Sequence, residues 1–263
     1  DGVPPKLCRI IEAMYQRTTC EVAVYNSKTE PFEIKSGVRQ GGILSPFLFN
    51  YCVDFVLNSA LDNPSYGLKV HPSNYVLTDL TFADDIALLS SSSHVLQQMV
   101  NQVQIEAGKV GLVLSSAKSK YICSNDIPCH NITIDKFPME KVDWFTYLGS
   151  RIGPSGTCEN EISARIVKAR SAFISMKKFW VRKDIALPLK MRIFNATIRS
   201  VLLYGCETWS VRKMDMARLE IFERNCQRRI ICLPFKNRIS NPELAKYANQ
   251  KTQLNQRVTA RRW

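Results

Sequence analysis

The spacing of apolar residues changes near residue 155, and this change most constrains what the chain can fold into. Before the GPSG segment at 153–156, short β-favouring runs alternate with amphipathic segments. From Cys158 onward, apolar residues recur only at helical spacing, with basic residues between them. We therefore predict an α+β part over residues 1–156 and an all-α part over residues 157–263.

Individual segments of the first part have patterns typical of particular elements. Residues 3–17 carry the apolar stripe of an amphipathic helix, and residues 18–37 alternate like a hairpin around the NSKTE turn. Pro46 is suited to the first turn of a second helix, and a third helix is predicted around Val95–Val103. Four further runs predict strands: YVLTDLTF at 75–82, IALLSS at 86–91, GLVLSS at 111–116 and KYICS at 120–124.

Charge is divided unevenly along the chain, whose net charge is +13. Residues 1–150 hold 12 Lys/Arg and 15 Asp/Glu, whereas residues 151–263 hold 24 Lys/Arg and 8 Asp/Glu. A one-sided basic field suits a polyanion, because each neutralised phosphate releases condensed counterions. Arg224 and Arg228 share one predicted helix face and could follow a phosphate backbone, although such side chains are often only solvated. Nucleic acid is the predicted partner.

Other classes of protein are disfavoured by composition. No apolar run approaches the roughly 18 residues of a membrane span, and the first residues, DGVPPKLCRI, do not resemble a signal peptide. We expect an intracellular protein, in the nucleus, the cytoplasm or both, without a membrane partner. The nine cysteines contain no CxxC pair, so neither disulfides nor zinc is predicted, even where Cys123, Cys129 and His130 fall close together.

Two adjacent acids, Asp84 and Asp85, interrupt the strand-like sequence TFADDIALLS. A simple turn would explain them, since Asp tolerates turn geometry. Two carboxylates about 4 Å apart, however, repel by roughly 4 kcal/mol at an effective dielectric of 20, and solvent or a cation must offset this cost. Hard divalent cations such as Mg²⁺ prefer carboxylate oxygens, with substrate phosphates completing the shell. Beside a basic module, the pair therefore indicates metal-assisted phosphoryl transfer on nucleic acid.

Four segments occur in the order and at the spacing of reverse transcriptases, and most closely resemble those of non-LTR (LINE-type) retrotransposons. RQGGILSP resembles motif B, FADD the catalytic motif C, GLVLSSAKSK motif D and FTYLG the primer-grip hairpin, motif E. The resemblance implies a right-hand polymerase, with partial fingers and palm over residues 1–156. The basic helical remainder, including RLEIFERNCQRRI, is similar to a thumb and downstream region.

The resemblance also implies roles for individual residues. Asp84 would bind catalytic Mg²⁺ (or Mn²⁺) directly, with Asp85 as second ligand or electrostatic support, and Lys118 would protonate or pair with the leaving pyrophosphate. Position 115 is Ser where the family often has Asn. Nucleotide and template binding is implied for Arg39, Gln40, Gly41, Gly42, Ser45, Phe82 and Ala83. The primer grip is implied for Phe145, Tyr147, Leu148 and Gly149.

The implied reaction is templated addition of deoxynucleotides to a primer 3′-hydroxyl, with an RNA template, a DNA primer or RNA/DNA duplex, and dNTP as partners. The family also uses an aspartate of motif A, on a strand just before a segment like residues 1–15. We expect that aspartate to lie upstream of Asp1, so that this chain is the C-terminal part of a reverse transcriptase and is nearly inactive. The alternatives are a non-catalytic nucleic-acid-binding remnant and a maturase-like RNA-binding protein.

Overall fold

The structure is a computed structural model, and it separates into two compact units. The first unit comprises residues 1–90 and 98–113, and the second comprises residues 91–97 and 114–263. The predicted boundary between residues 156 and 157 falls inside the second unit and stays a prediction. The residues that the structure describes are 2–72, 75–124, 128–231, 239–248 and 254–261.

The first unit consists of helices and short antiparallel hairpins. The helix predicted over residues 3–17 and the Pro46 helix are confirmed. A hairpin forms within residues 18–37, but its turn lies at residues 25–26, and Ser27 and Lys28 of the predicted NSKTE turn form a strand. The strand Leu68–Val70 was not predicted. Its elements are α1 Pro5–Tyr15, β1 Thr19–Cys20, β2 Ala23–Val24, β3 Ser27–Lys28, β4 Phe32–Glu33, α2 Ser45–Ala60, β5 Leu68–Val70, β6 Tyr75–Leu77, β7 Asp79–Phe82 and β8 Asp85–Leu88. Helix α3, Ser93–Lys109, contributes residues to both units.

The β7–β8 hairpin shows where Asp84 and Asp85 lie relative to its turn. Phe82 pairs with Asp85, so the two turn residues are Ala83 and Asp84. Ala83 has a positive φ of 54°, which a tight two-residue connection between strands requires. The prediction that both acids lie in the turn is therefore wrong for Asp85, which is the first residue of β8.

The second unit begins with short strands: β9 Lys120–Tyr121, β10 Thr133–Ile134, β11 Phe137–Pro138, β12 Glu140–Lys141, β13 Phe145–Tyr147 and β14 Ser150–Ile152. Pairs β10–β11 and β13–β14 are antiparallel hairpins, and β9 pairs with β12 in parallel. The strand predicted at 111–116 is wrong, because the Ser115 carbonyl accepts the Lys118 and Ser119 amides in a turn. The expectation of no disulfide is also wrong, since Cys123 and Cys129 are bonded.

Helices form the rest of the second unit and enclose its apolar core. They are α4 Glu159–Ser175, α5 Lys177–Trp180, α6 Leu187–Phe194, a π-helical turn Asn195–Arg199, α7 Ser200–Leu202, a 3₁₀ turn Cys206–Thr208, α8 Lys213–Ile231, α9 Asn241–Tyr247 and α10 Leu254–Ala260. Two apolar sets at helical spacing in the sequence lie on α4 and α8, and in the structure all their members are buried except Ile166, which is partly buried. They are Ile162, Ile166, Ala169 and Phe173 on α4, and Leu219, Phe222, Cys226 and Ile230 on α8.

One predicted helical face is displaced by a single residue. The sequence also has Ile193, Ala196, Thr197 and Val201 at helical spacing, but the fully buried residues of this segment are Phe194, Ile198 and Leu202, while Ile193 and Val201 are partly buried. Both sets have helical spacing, so periodicity could not distinguish them. Packing of the bulkier Phe194 against Phe173 selects the buried set.

A buried ion pair on α4 holds the β13–β14 hairpin. Glu161 and Arg165 are 3% and 5% exposed, and their side chains meet at 2.5 Å. The second carboxylate oxygen of Glu161 accepts the Arg151 amide at 2.7 Å, and Arg165 donates to the Gly149 carbonyl. The hydroxyl of Tyr204 donates to the Leu148 carbonyl at 3.0 Å. Two consecutive carbonyls of the hairpin turn, those of Leu148 and Gly149, therefore accept hydrogen bonds from side chains of the helical part.

Among the helices in the described ranges, none is both long enough and apolar enough to cross a lipid bilayer.

Replacing Glu161 by Gln is expected to destabilise the protein by about 3–5 kcal/mol, because it leaves the buried Arg165 guanidinium without its carboxylate. The change is measurable as a lower midpoint in urea unfolding. The matched control is Asp184→Asn, which breaks an exposed pair with Arg182 and should leave the midpoint unchanged. Equal shifts for the two variants would contradict the assigned role of Glu161.

Cysteine reactivity should follow burial. Burial raises the pKa of the Cys226 thiol to about 12 and also raises the pKa of Cys158 and Cys206, whereas Cys8, Cys20 and Cys52 are exposed. Because the thiolate is the reactive form, iodoacetamide at pH 8 should label only the exposed three of these six before unfolding, and all six in denaturant. Mass spectrometry of peptides reads out the labelled positions. Modification of native Cys226 as fast as Cys52 would be inconsistent with this core.

Candidate functional site

A groove of about 1210 Å³ lies in the first unit, between α2 and the β7–β8 hairpin. Its walls combine aromatic rings with carboxylate and amide side chains, so that it presents both stacking and polar surfaces. The lining residues are Pro46, Phe47, Phe49, Asn50, Tyr51, Val53, Asp54, Leu57, Asn58, Leu61 and Asp62 from α2 and its end, and Thr78, Asp79, Thr81, Phe82 and Ala83 from the hairpin.

Helix α2 has two distinct faces. Val53, Val56, Leu57 and Ala60 form its buried stripe, and Val53 and Leu57 of this stripe also line the groove. The other groove-lining residues of α2 are mostly exposed. Phe47, Tyr51, Asp54 and Asn58 recur at helical spacing, and Phe47 is 74% exposed. In the sequence, FLFNYCVDFVLN has the composition of an apolar helix, which does not indicate this face. The positions of its polar residues could have revealed it.

The hairpin side of the groove ends at the acid pair. Phe82, which is 63% exposed, and Ala83 line the groove, and Asp84 and Asp85 follow them directly with exposed side chains. Asp79 also lines the groove, and its carboxylate accepts the hydroxyls of Thr78 and Thr81, each at 2.8 Å. Asp79 therefore already has partners, whereas neither Asp84 nor Asp85 is in an ion pair within the described part of the chain.

Two carboxylates are the protein ligands that a hard divalent ion could find here. No group of three or more His, Cys, Asp or Glu side chains suited to a metal occurs within the residues that the structure describes. Mg²⁺ commonly binds through one or two carboxylates and keeps water or substrate phosphate in its remaining positions. Asp84 and Asp85 are exposed carboxylates, the ligand type that such a site uses.

The loop before α2 is held in place by Arg39. Its guanidinium donates to the Met14 carbonyl and, at 2.9 Å, to the Thr18 hydroxyl, and it lies 5.5 Å from the centre of the Tyr15 ring. Arg39 was predicted to bind nucleotide or template. In this structure its side chain instead ties the loop to the end of α1, a long-range contact that no local pattern indicates.

The glycines of this loop differ in their surroundings. Gly41 has a φ of +80° and open space where a Cβ would lie, and Gln40 beside it is exposed. A Cβ at Gly42 would approach the Ser45 Oγ to 2.6 Å, so a side chain at this position would require the Ser45 hydroxyl to move. Ser45 is buried, with its hydroxyl 3.4 Å from that of Tyr15. Among these residues, Gln40 and Gly41 are therefore accessible to a ligand and Ser45 is not.

The remaining predicted residues lie in the second unit. Lys118 is exposed in the turn that follows Ser115. Phe145 and Tyr147 are in β13, and Leu148 and Gly149 form the hairpin turn with positive φ values of 48° and 80°. Their backbone is fixed by the Glu161–Arg165 pair and Tyr204, which sequence reasoning did not identify.

Some charged residues of the helices already have ion-pair or hydrogen-bond partners within the protein. Arg224 pairs with Glu220 at 3.0 Å, and Arg228 donates to Asn241 at 2.8 Å, so the predicted phosphate-following face already has internal partners. A smaller cavity of about 440 Å³ opens between α4 and α8. It is lined by Arg170, Phe173, Ile174, Phe222, Asn225, Cys226 and Arg229.

Comparison with known proteins gives two family matches. The family described as reverse transcriptase (RNA-dependent DNA polymerase) matches residues 2–152, which is more than half of the chain. A second family, described as a domain of unknown function (DUF6451), matches residues 172–204 in the helical part.

Individual relatives are proteins of mobile elements. The chain is 22% identical over 254 residues to the RNA-directed DNA polymerase from mobile element jockey of Drosophila melanogaster, covering 91% of this chain and 26% of that protein. It is 28% identical over 199 residues to the Pol polyprotein from type-1 retrotransposable element R2 of Popillia japonica, covering 70% and 26%. A transposon-derived protein of Caenorhabditis elegans is 26% identical over 161 residues, covering 59% and 57%.

The chain thus spans between about a quarter and just over half of the length of these relatives. The reverse transcriptase match includes the groove, the acid-pair hairpin and the β13–β14 hairpin. The chain belongs to the reverse transcriptase family, of the kind found in non-LTR retrotransposons.

Proposed function

We propose that the full-length protein containing this chain is an RNA-directed DNA polymerase of a mobile element, and that the groove between α2 and the β7–β8 hairpin takes the incoming nucleotide. The observation that carries this proposal is the exposed Asp84–Asp85 pair, which directly follows two groove-lining residues in a chain of the reverse transcriptase family.

In the proposed reaction, the primer 3′-hydroxyl attacks the α-phosphorus of a dNTP, a phosphodiester bond forms and pyrophosphate leaves. A divalent ion such as Mg²⁺ would supply charge stabilisation on the phosphates and lower the pKa of the hydroxyl. Asp84 would be the first carboxylate ligand, with Asp85 as second ligand or electrostatic support. Phe47, Tyr51 and Phe82 offer rings against which a base could stack, and Gly41 would allow close backbone approach.

For the second unit we propose nucleic-acid binding, with the β13–β14 hairpin as the primer grip and residues 157–263 as a thumb. For Lys118 we propose the role that the resemblance implies, protonation of the leaving pyrophosphate or pairing with its charge. Charge supports this assignment. Of the eight acids in residues 151–263, Glu161, Asp184, Asp215, Glu220 and Glu223 are already paired with arginines of the same segment. Most of its 24 basic side chains therefore have no acidic counterpart in that segment.

Polymerisation is tested with the full-length protein on an RNA template with an annealed DNA primer, by incorporation of labelled dNTP. Asp84→Asn is expected to lower the rate by about 10²–10³-fold or more, because the developing phosphate charge loses its organising carboxylate. Asp85→Asn should cost less. The control Asp184→Asn, at an exposed pair outside the groove, should keep the wild-type rate.

Wild-type incorporation that survives Asp84→Asn would overturn the assigned metal site. Absence of incorporation by the wild-type protein, with RNA binding intact, would favour the non-catalytic remnant instead. Tight binding to one structured RNA and weak binding to others would favour the maturase-like alternative.

Nucleic-acid binding is tested by salt titration of the affinity for a duplex. The logarithm of the association constant should fall against the logarithm of salt concentration with a slope of about −4 or steeper, at about 0.9 per neutralised phosphate on B-form duplex. Arg170→Ala should reduce the slope by about one, because one phosphate contact is lost. The matched control is Lys28→Ala in the first unit, where Lys28 pairs with Glu21 at 3.0 Å. An association constant that does not change with salt concentration would contradict the proposal that the basic helices bind nucleic acid.

A further inference from the structure

The β13–β14 hairpin has one side toward the helices and one side toward solvent. Paired residues of an antiparallel hairpin project to the same side, and Tyr147 pairs with Ser150. That side faces the helices, because a Cβ at Gly205 would lie 2.6 Å from the Ser150 Oγ. Thr146 pairs with Arg151 on the opposite side, and both are exposed. Trp144, two residues before Thr146, is also exposed.

Trp144 and Arg151 form a cation–π pair on this outer side. The guanidinium carbon of Arg151 lies 4.2 Å from the centre of the indole ring, and Trp144 remains 49% exposed. The other two tryptophans in the described ranges, Trp180 and Trp209, are only 2% and 4% exposed. Among the tryptophans in the described ranges, Trp144 is therefore the one whose ring is open to solvent.

Contacts behind the hairpin fix the position of this pair. The Arg151 amide donates to the buried Glu161, and the turn carbonyls of Leu148 and Gly149 are bonded by Tyr204 and Arg165. The backbone that carries Arg151 is therefore ordered before any ligand arrives, which lowers the entropy cost of binding. Within the part of the chain that the structure describes, no acidic side chain forms an ion pair with the Arg151 guanidinium.

We propose that Trp144 and Arg151 form a stacking site for an unpaired nucleotide of RNA or single-stranded DNA. An exposed ring offers a sequence-tolerant stacking surface for a base, and a guanidinium beside it can contact the neighbouring phosphate. The basic charge of residues 151–263 favours a polyanionic ligand over an uncharged one. The site extends the proposed nucleic-acid binding and depends on it, but neither residue is among those that the resemblance implies.

The test is fluorescence titration of the chain with single-stranded oligo(rU) and oligo(dT) of 12 nucleotides, in a Trp263→Phe background. Stacking should quench the emission of Trp144, and Trp144→Phe should abolish this quenching, since Trp180 and Trp209 are buried. Trp144→Ala should weaken binding by about tenfold, the size of one lost base stack. Arg151→Ala should weaken binding less than Trp144→Ala does. Arg151→Lys, which keeps the positive charge, should have the wild-type salt dependence but a lower affinity than wild type.

Phe137→Ala is the matched control for the aromatic variant. Phe137 is 65% exposed on the separate β10–β11 hairpin, and its loss should leave the affinity within about twofold. Far-ultraviolet circular dichroism checks that each variant is folded. Two results would overturn the stacking site: quenching that persists in Trp144→Phe, or equal affinities for Trp144→Ala and Phe137→Ala. If binding still depends on salt in either case, the proposed nucleic-acid binding of the second unit stands. Absence of binding by every variant would overturn both.

Discussion

The buried ion pair between Glu161 and Arg165 is the interaction on which the hairpin surface of the second unit depends. Both side chains are almost fully removed from solvent, so each needs the other to offset the cost of burying a charge. Each side chain also makes a hydrogen bond outside the pair. Glu161 accepts a hydrogen bond from the Arg151 amide, and Arg165 donates one to the Gly149 carbonyl. One pair on one helix thereby determines the position of both strands and the turn between them.

A second buried pair organises the helical core in a similar way. Arg199, on the π-helical turn, donates through its Nε to Glu223 of α8 at 2.6 Å, and both residues are 4% exposed. The apolar residues around these pairs, such as Phe194 and Leu219, exclude water and so make correct pairing more important. Arginine can bond several acceptors through one guanidinium, as Arg165 does with the Glu161 carboxylate and the Gly149 carbonyl.

The two units have complementary chemical characters. The first holds the acid pair and a groove with aromatic and polar walls, which suit a small, metal-associated ligand. The second holds most of the basic charge and a rigid hairpin with an exposed aromatic residue, which suit an extended polyanion. Under the proposed function, the first unit would supply the site for chemistry and the second a surface for template and primer.

The sequence alone determined the α+β and helical parts, the hairpin with Asp84 at its turn and the reverse transcriptase family, because periodicity, turn residues and short motifs are local properties. It also predicted the helix that Pro46 begins, but as an apolar stretch, without showing that polar residues of this helix face a groove. Only the tertiary structure decided that Arg39 ties its loop to Met14 and Thr18, that Asp85 begins a strand, and that Tyr204 bonds a carbonyl 56 residues away. The physical reason is that such contacts join residues distant in the chain, and their formation depends on packing and burial that no local pattern contains.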